Sequence, residues 1–302
     1  MKTTTAVQCQ PAPSGTREAS PWLVGTTLAQ KPSRQGFTLV ELLAVVILLA
    51  LGASMLLPAL ARTQPDTKAA RCQNNLRQLT VAWHAWAEDH AEQLLSCDSS
   101  VTTRSNWMTG VLDFAPGNLS NWDLSKDTLK SPLWPYTVQM ADLIKCPADL
   151  STVLVNGQRK PRVRSVSMND AFGRGSFLGG TGSGAGAWLT YGKLSAIRIP
   201  AKTFVFADEH PDSLNDGSLS NFCTGNEPTD PPSAAKILDF PSSLHHGAGN
   251  FSFADGHVET HKWQGSRIQP RPQYNGVMAL NVPAEDSWVD THWLAERTTV
   301  RY

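Results

Sequence analysis

The chain has 302 residues, in which 26 lysines and arginines balance 26 aspartates and glutamates. This zero formal charge argues against nucleic-acid binding, because nucleic-acid-binding proteins carry a basic excess that neutralises phosphates. Hydrophobic residues make up 41% of the chain and include ten tryptophans, which excludes wholesale disorder. Five cysteines are too few for a fold held together mainly by disulfides.

The first predicted element is an apolar segment at residues 42–61, which reads LLAVVILLALGASMLLPALA and contains no charge. A helix of this length rises about 30 Å, at about 1.5 Å per residue, and so matches the hydrocarbon core of a bilayer. Lys31 and Arg34 stand on its N-terminal side. The positive-inside rule therefore predicts that the N-terminal residues stay in the cytoplasm and the rest is exported. The alternative is a secretory signal cleaved after Ala61, where an A-x-A sequence ends.

An acidic residue stands at the entrance of this segment, in the sequence Gly36-Phe37-Thr38-Leu39-Val40-Glu41. An acid inside a bilayer costs about 2.5–3.5 kcal/mol and therefore usually has a partner or a function. The sequence closely resembles the processing site of type IV prepilins and type II secretion pseudopilins. The resemblance implies that prepilin peptidase cleaves between Gly36 and Phe37 and methylates the new amine of Phe37. Glu41 then becomes the fifth mature residue, and Pro58 takes the place of a helix-kinking proline that many family members carry.

The resemblance also implies a place in a filament. When helices bundle, the Glu41 carboxylate of one subunit and the Phe37 amine of its neighbour would relieve each other's buried charge. We therefore expect a non-catalytic, single-pass subunit of the inner membrane with a periplasmic head. It would assemble with other pilin-like subunits into a type II secretion pseudopilus or a related filament. The competing hypothesis is an exported binding or metal-dependent enzymatic head that uses the helix only as an anchor.

A second helix is predicted after the break at Gln64-Pro65-Asp66, from residue 67 to residue 95. Its apolar residues recur at helical spacing, which predicts a face packed on a sheet, with a partner-binding face as the alternative. This stripe consists of Cys72, Leu76, Leu79, Trp83 and Trp86. Short apolar runs that follow predict strands at residues 153–155, 162–168 and 203–207.

The resemblance implies an α+β, pilin-like fold, in which a long N-terminal helix packs its second half on an antiparallel sheet. The expected parts are a leader peptide at residues 1–36, a transmembrane helix at 37–61, an amphipathic helix at 62–95 and a β-rich head at 96–302.

A hairpin is predicted near the C-terminus, because Asp255-Gly256 is a preferred type I′ turn pair between two strand-like runs. His245, nine further residues and Asp255-Gly256 form a His-x9-Asp-Gly motif at residues 245–256. This motif resembles a C-terminal motif of large pilin-like proteins in some bacterial phyla. That resemblance implies an association with prepilin processing and no established chemistry.

Imidazoles and carboxylates in this region are candidate metal ligands, with structural hydrogen bonding as the alternative. His245, Asp255 and His257 lie close in sequence, and such groups can bind zinc. A loop richer in carboxylates is a candidate calcium site, because calcium prefers several oxygen ligands. Its acids are Asp208, Glu209, Asp212 and Asp216. Major pseudopilins commonly carry a stabilising Ca²⁺ in a head loop, which favours this site by resemblance; the alternative is a solvated turn.

Four cysteines remain after removal of the predicted leader. An exported head would meet an oxidising compartment, where disulfides can form. Cys72 on the predicted helix and Cys146 in the Cys-Pro-Ala-Asp sequence are the first candidates for a disulfide, which would tie the helix to the sheet. Cys97 and Cys223 are a weaker candidate pair. Free buried thiols are the alternative for all four.

Overall fold

The computed structural model describes residues 37–63, 67–180 and 184–302, and within these it does not describe the side chains of residues 53–63. The predicted leader with Gly36 therefore lies outside the described residues, and so do the side chains of Pro58 and of Ala61, the alternative cleavage site. The chain divides into two units, Met1–Ala59 and Leu60–Tyr302. We call the second one the head unit.

The first helix, α1, spans Leu39–Thr63. Its described side chains, at residues 39–52, are all exposed, and most of them are apolar. Across the described ranges, no helix combines the length and the apolarity that a membrane crossing requires.

The second helix, α2, spans Thr67–Asp89 and opens the head unit. Four members of the predicted stripe, from Cys72 to Trp83, are buried, and Trp86 is half-buried. The stripe is therefore core, as predicted. The helix ends before the predicted limit at residue 95, because Ala91 and Glu92 adopt left-handed backbone angles with φ of 51° and 64°. The Glu92 N–H reaches back to the Ala87 carbonyl at 2.8 Å, a bond typical of helix C-termini.

The strands of the described chain are β1 (Thr152–Val155), β2 (Gln158–Pro161), β3 (Val166–Asn169), β4 (Phe204–Asp208), β5 (Ser218–Leu219), β6 (Lys236–Ile237), β7 (Ala248–Phe253), β8 (Val258–Lys262) and β9 (Val282–Pro283). Five of them form the central sheet of the head unit, in the order β5-β3-β4-β7-β8. Strands β3 and β5 pair in parallel and the other neighbours are antiparallel, so the sheet is mixed. The strand predicted at residues 162–168 is wrong in its first half, because Arg162 and Arg164 lie between two strands.

The hairpin of β7 and β8 is present, with Ser252 opposite Val258, but its turn differs from the predicted type I′. A type I′ turn needs positive φ at both central residues. Here Gly256 has φ of 93° while Asp255 is not left-handed, and the Gly256 N–H donates to the Phe253 carbonyl at 2.9 Å. The glycine is needed because only it adopts this φ without steric cost.

The sheet separates two hydrophobic cores. On one face α2 packs through Leu76, Leu79 and Trp83, and Trp83 meets the ring of Phe172 edge-on at 5.5 Å. On the other face Phe251 packs against Trp293 of the C-terminal helix α3 (Trp288–Thr298), with ring centroids 5.0 Å apart. Side chains alternate across a strand, so the even-numbered residues of β7 face α2. This alternation brings buried polar groups beneath the N-terminal half of α2.

Candidate functional site

The beginning of α1 carries the predicted processing and assembly residues. Phe37 is 76% exposed, and Glu41 lies in the first turn of the helix. Thr38 and Glu41 form a reciprocal cap: the Glu41 N–H donates to Thr38 Oγ1 at 3.3 Å, and the Thr38 N–H donates to the Glu41 carboxylate at 2.9 Å. This capping box satisfies two backbone donors that a helix otherwise leaves open. Glu41 thus has a partner within its own chain.

A second site lies inside the head unit, where four potential ligands meet. Cys72 of α2, Cys146 of the turn before β1, Asp208 at the end of β4 and His245 of the loop before β7 place one ligand atom each within 4.8 Å of the others. We call this group the four-residue cluster. Over the residues that the structure describes, no other group of three or more histidine, cysteine or acidic side chains converges in this way.

Three contacts define the geometry of the four-residue cluster. Cys146 Sγ lies 3.2 Å from His245 Nε2, and the same nitrogen lies 3.3 Å from Asp208 Oδ2. Asp208 Oδ2 in turn lies 3.7 Å from Cys72 Sγ. All four residues are buried, the most exposed being His245 at 4%. The cluster is therefore closed to any substrate larger than an ion.

Backbone groups hold two of the ligands in place. The Asn250 N–H donates to Asp208 Oδ1 at 2.6 Å, which leaves Oδ2 turned to the cluster. The Cys146 N–H donates to Ser165 Oγ at 2.7 Å, and the Ala148 N–H points at the Cys146 sulfur at 3.4 Å. The proline-containing turn predicted from Cys-Pro-Ala-Asp thus presents its sulfur inward.

The cluster favours a thiolate beside an imidazolium. Hydrogen bonds with Cys72 and His245 together lower the pKa of Cys146 to about 7, against the opposing effect of burial. The same hydrogen bond, with burial and Asp208, raises the pKa of Cys72 well above its ordinary value. Burial lowers the pKa of His245, but hydrogen bonds to Asp208 and Cys146 outweigh it and raise the pKa to about 10. These opposite shifts have one cause, namely that the two thiols and the imidazole share hydrogen bonds in a buried site.

A catalytic Cys-His-Asp relay does not match this arrangement. In such a relay the nucleophile and the acid contact opposite nitrogens of the imidazole. Here Cys146 and Asp208 both approach Nε2 of His245, as ligands around a common point do.

The cysteines that were predicted to pair are free thiols in the structure. Cys72 and Cys146 do come together, because helix α2 lies over the turn that carries Cys146, but they do so within the cluster and without a bond. Cys97 and Cys223 are also buried free thiols, and they have separate partners in Ser218 and the Ala295 carbonyl. No disulfide joins the cysteines of the described chain.

The predicted calcium loop is not brought together around one point. Glu209 is buried against Ser167 and Ser213. The Asp212 carboxylate accepts four backbone N–H groups of residues 273–276, at 2.7 to 3.1 Å, so its oxygens already have donors. Only Asp208, of the four predicted acids, faces the cluster.

The remaining predicted ligands also have other partners. The Asp216 carboxylate accepts the Ser218 N–H at 2.8 Å. Asp255 and His257 pair with each other at 2.6 Å on the exposed hairpin turn, away from the buried His245. The sequence predicts His245 and Asp208 as metal ligands and the two cysteines as a disulfide, and no local pattern in it unites the two sets.

A separate buried acid, Asp170, lines a cleft of about 290 Å³ together with Asp98 and Asp216. Burial and, to a smaller extent, the two neighbouring acids raise the pKa of Asp170 to about 6. An acid with a raised pKa stabilises the fold below its unfolded pKa, and this contribution is lost as the pH rises through the folded pKa.

We expect Asp170→Asn to have its largest effect on stability near neutral pH. Asparagine keeps an acceptor for the Phe177 N–H but has no charge to bury. Because the pKa rises from 3.8 to about 6, the variant should gain up to about 3 kcal/mol relative to wild type between pH 4 and pH 7. Urea unfolding at several pH values, followed by tryptophan fluorescence, measures this difference. The exposed Asp142→Asn serves as the control, and an equal pH dependence in both variants would contradict the prediction.

Comparison with known proteins gives one match. A family model, the prokaryotic N-terminal methylation motif, matches residues 31–57, which contain Gly36, Phe37 and Glu41. Comparisons with curated proteins and with solved structures found no match. The His-x9-Asp-Gly resemblance at residues 245–256 lies outside the matched segment and stays a prediction. The α+β architecture is compatible with a pilin-like fold, and the motif supports a pilin-like, membrane-anchored substrate of prepilin peptidase.

Proposed function

We propose that the chain is a pilin-like subunit that prepilin peptidase cleaves after Gly36 and methylates on Phe37. The mature subunit then joins a type II secretion pseudopilus or a related filament. The observation that carries this proposal is the methylation motif at residues 31–57, in which the cleavage site, the acid at the fifth mature position and the apolar segment stand in register.

The exposure of α1 supports a role in a bundle or a bilayer. Its described apolar side chains include Leu39 at 82% and Leu48 at 68% exposure. A continuous apolar surface of this kind is unfavourable in water and marks an interaction site. Neighbouring helices and lipid would cover it in an assembled filament.

The finer topology follows from charge. Lys31 and Arg34 favour a cytoplasmic leader, and the head unit would face the periplasm from a single-pass anchor in the inner membrane. The subunit's work is mechanical, and its partners are the peptidase and other pilin-like subunits. The competing enzymatic role is less favoured, because the four-residue cluster is buried and its ligands surround a common point.

The mature N-terminus tests this proposal directly. Full-length chain is expressed with and without a prepilin peptidase, and its N-terminal peptide is identified by mass spectrometry. We expect N-methylated Phe37 with the peptidase and the complete leader without it. Gly36→Val, which places a branched side chain at the cleaved bond, should retain the leader in both cases. A mature chain that begins at Arg62, or one that keeps Met1 beside active peptidase, would contradict the proposal.

A further inference from the structure

The four-residue cluster is not used by the proposed filament role, although it lies where α2 meets the sheet. It draws Cys72 from the helix, Cys146 from a turn, and Asp208 and His245 from the sheet and its adjoining loop. We propose that these four side chains bind one structural Zn²⁺ ion, which fastens α2 to the sheet.

The distances match the edges of a zinc tetrahedron. Zinc binds sulfur at about 2.3 Å and imidazole nitrogen or carboxylate oxygen at about 2.0–2.2 Å, so tetrahedral ligand atoms lie about 3.4–3.8 Å apart. Three of the observed separations are 3.2, 3.3 and 3.7 Å. All four ligand atoms fall within 4.8 Å of one another, so small side-chain movements complete the tetrahedron.

The chemistry of the donors selects the metal. Calcium and magnesium require mainly oxygen ligands, and this cluster offers two sulfurs, one nitrogen and one oxygen. Thiolate and imidazole donors in a tetrahedral set suit zinc. Four protein ligands leave no open position, and burial excludes substrate. The ion is therefore structural.

Groups around the ligands support a bound cation. The Asn250 N–H orients Asp208, and the Ala148 N–H approaches the Cys146 sulfur. The Asn250 side chain is fully buried, and its Nδ2 has no acceptor within hydrogen-bond distance among the described residues. Such outer contacts are typical of metal centres, where they hold the ligands and tune the sulfur charge.

Zinc content tests the proposal on the full-length chain, purified in detergent without chelators. We expect one zinc per chain by inductively coupled plasma mass spectrometry. Cys72 and Cys146 should be free thiols after denaturation. Cys72→Ser, Cys146→Ser and His245→Gln should each lower bound zinc at least tenfold. Cys97→Ser and Cys223→Ser are matched controls, since both replace buried free thiols outside the cluster, and they should keep the full content.

A measurement on wild type keeps the test decisive if ligand variants fail to fold. Zinc is removed with a chelator and replaced by Co²⁺, which should give the intense visible bands of tetrahedral cobalt and a thiolate-to-cobalt charge-transfer band. Removal should lower the thermal midpoint, and added Zn²⁺ should restore it. The proposal would be overturned if the wild-type protein held less than a tenth of a zinc per chain and gave no cobalt spectrum. A native disulfide between Cys72 and Cys146 would also overturn it. A folded ligand variant with full zinc would overturn it as well.

Discussion

Replacing Glu41 with alanine is expected to lower incorporation into filaments at least a hundredfold while leaving cleavage after Gly36 unchanged. The proposed assembly places the Glu41 carboxylate of one subunit beside the Phe37 amine of the next, in a low-dielectric helix bundle. Removing one partner of a buried ion pair costs about 3–5 kcal/mol, because the other charge remains buried and uncompensated. About 1.4 kcal/mol corresponds to a tenfold change in an equilibrium, so the loss is large.

The capping box makes a second explanation testable. Glu41 closes the N-terminus of α1 with Thr38, so Glu41→Ala removes a helix cap as well as a charge. Glu41→Gln keeps a capping-box residue and removes only the charge. Thr38→Ala removes the other half of the cap and keeps the charge. If the ion pair controls assembly, the Glu41→Gln chain should fail to enter filaments and the Thr38→Ala chain should enter them.

The measurement is the fraction of mature subunit recovered in sheared filaments, with N-terminal mass spectrometry to check processing. Normal incorporation of the Glu41→Gln chain would contradict the ion-pair mechanism. Failure of the Thr38→Ala chain together with success of the glutamine variant would assign the role of Glu41 to helix capping.

The second large effect is expected in the core of the head unit. Trp83→Ala should lower the free energy of unfolding by about 3–5 kcal/mol, because it removes a fully buried ring and leaves a cavity. The ring of Trp83 meets that of Phe172 edge-on, at 5.5 Å, and so joins α2 to the layer beneath it. Trp83→Phe should cost less, since it keeps an aromatic ring and removes an Nε1–H that has no acceptor in the described structure.

Chemical unfolding of the full-length chain in detergent measures these differences. Val81→Ala is the matched control, because Val81 lies on the same helix with 62% of its surface exposed and should change the free energy of unfolding by less than about 0.5 kcal/mol. Equal losses for Trp83→Ala and Val81→Ala would contradict the assignment of this face to the core.

Features with local causes could be predicted from residue order. The apolar run of α1 and the Thr38–Glu41 cap depend on residues a few positions apart. The buried stripe of α2 follows from helical spacing, and its four members from Cys72 to Trp83 are all buried. The hairpin of β7 and β8 was also predictable, since Asp255-Gly256 favours a turn. Its exact turn type was not, because two turn geometries accept the same residue pair.

The four-residue cluster depends instead on how distant segments pack. Cys72 and Asp208 are 136 residues apart in sequence, and Cys146 and His245 are 99 apart, so no spacing pattern connects them. Packing also places the Asp212 carboxylate of the predicted calcium loop among the backbone N–H groups of residues 273–276, which are distant in sequence. A sequence shows which side chains can ligate or pair. Which of them meet is decided by the packing of α2 against the sheet. Apolar side chains drive this packing, and it brings together polar groups that are far apart in the sequence.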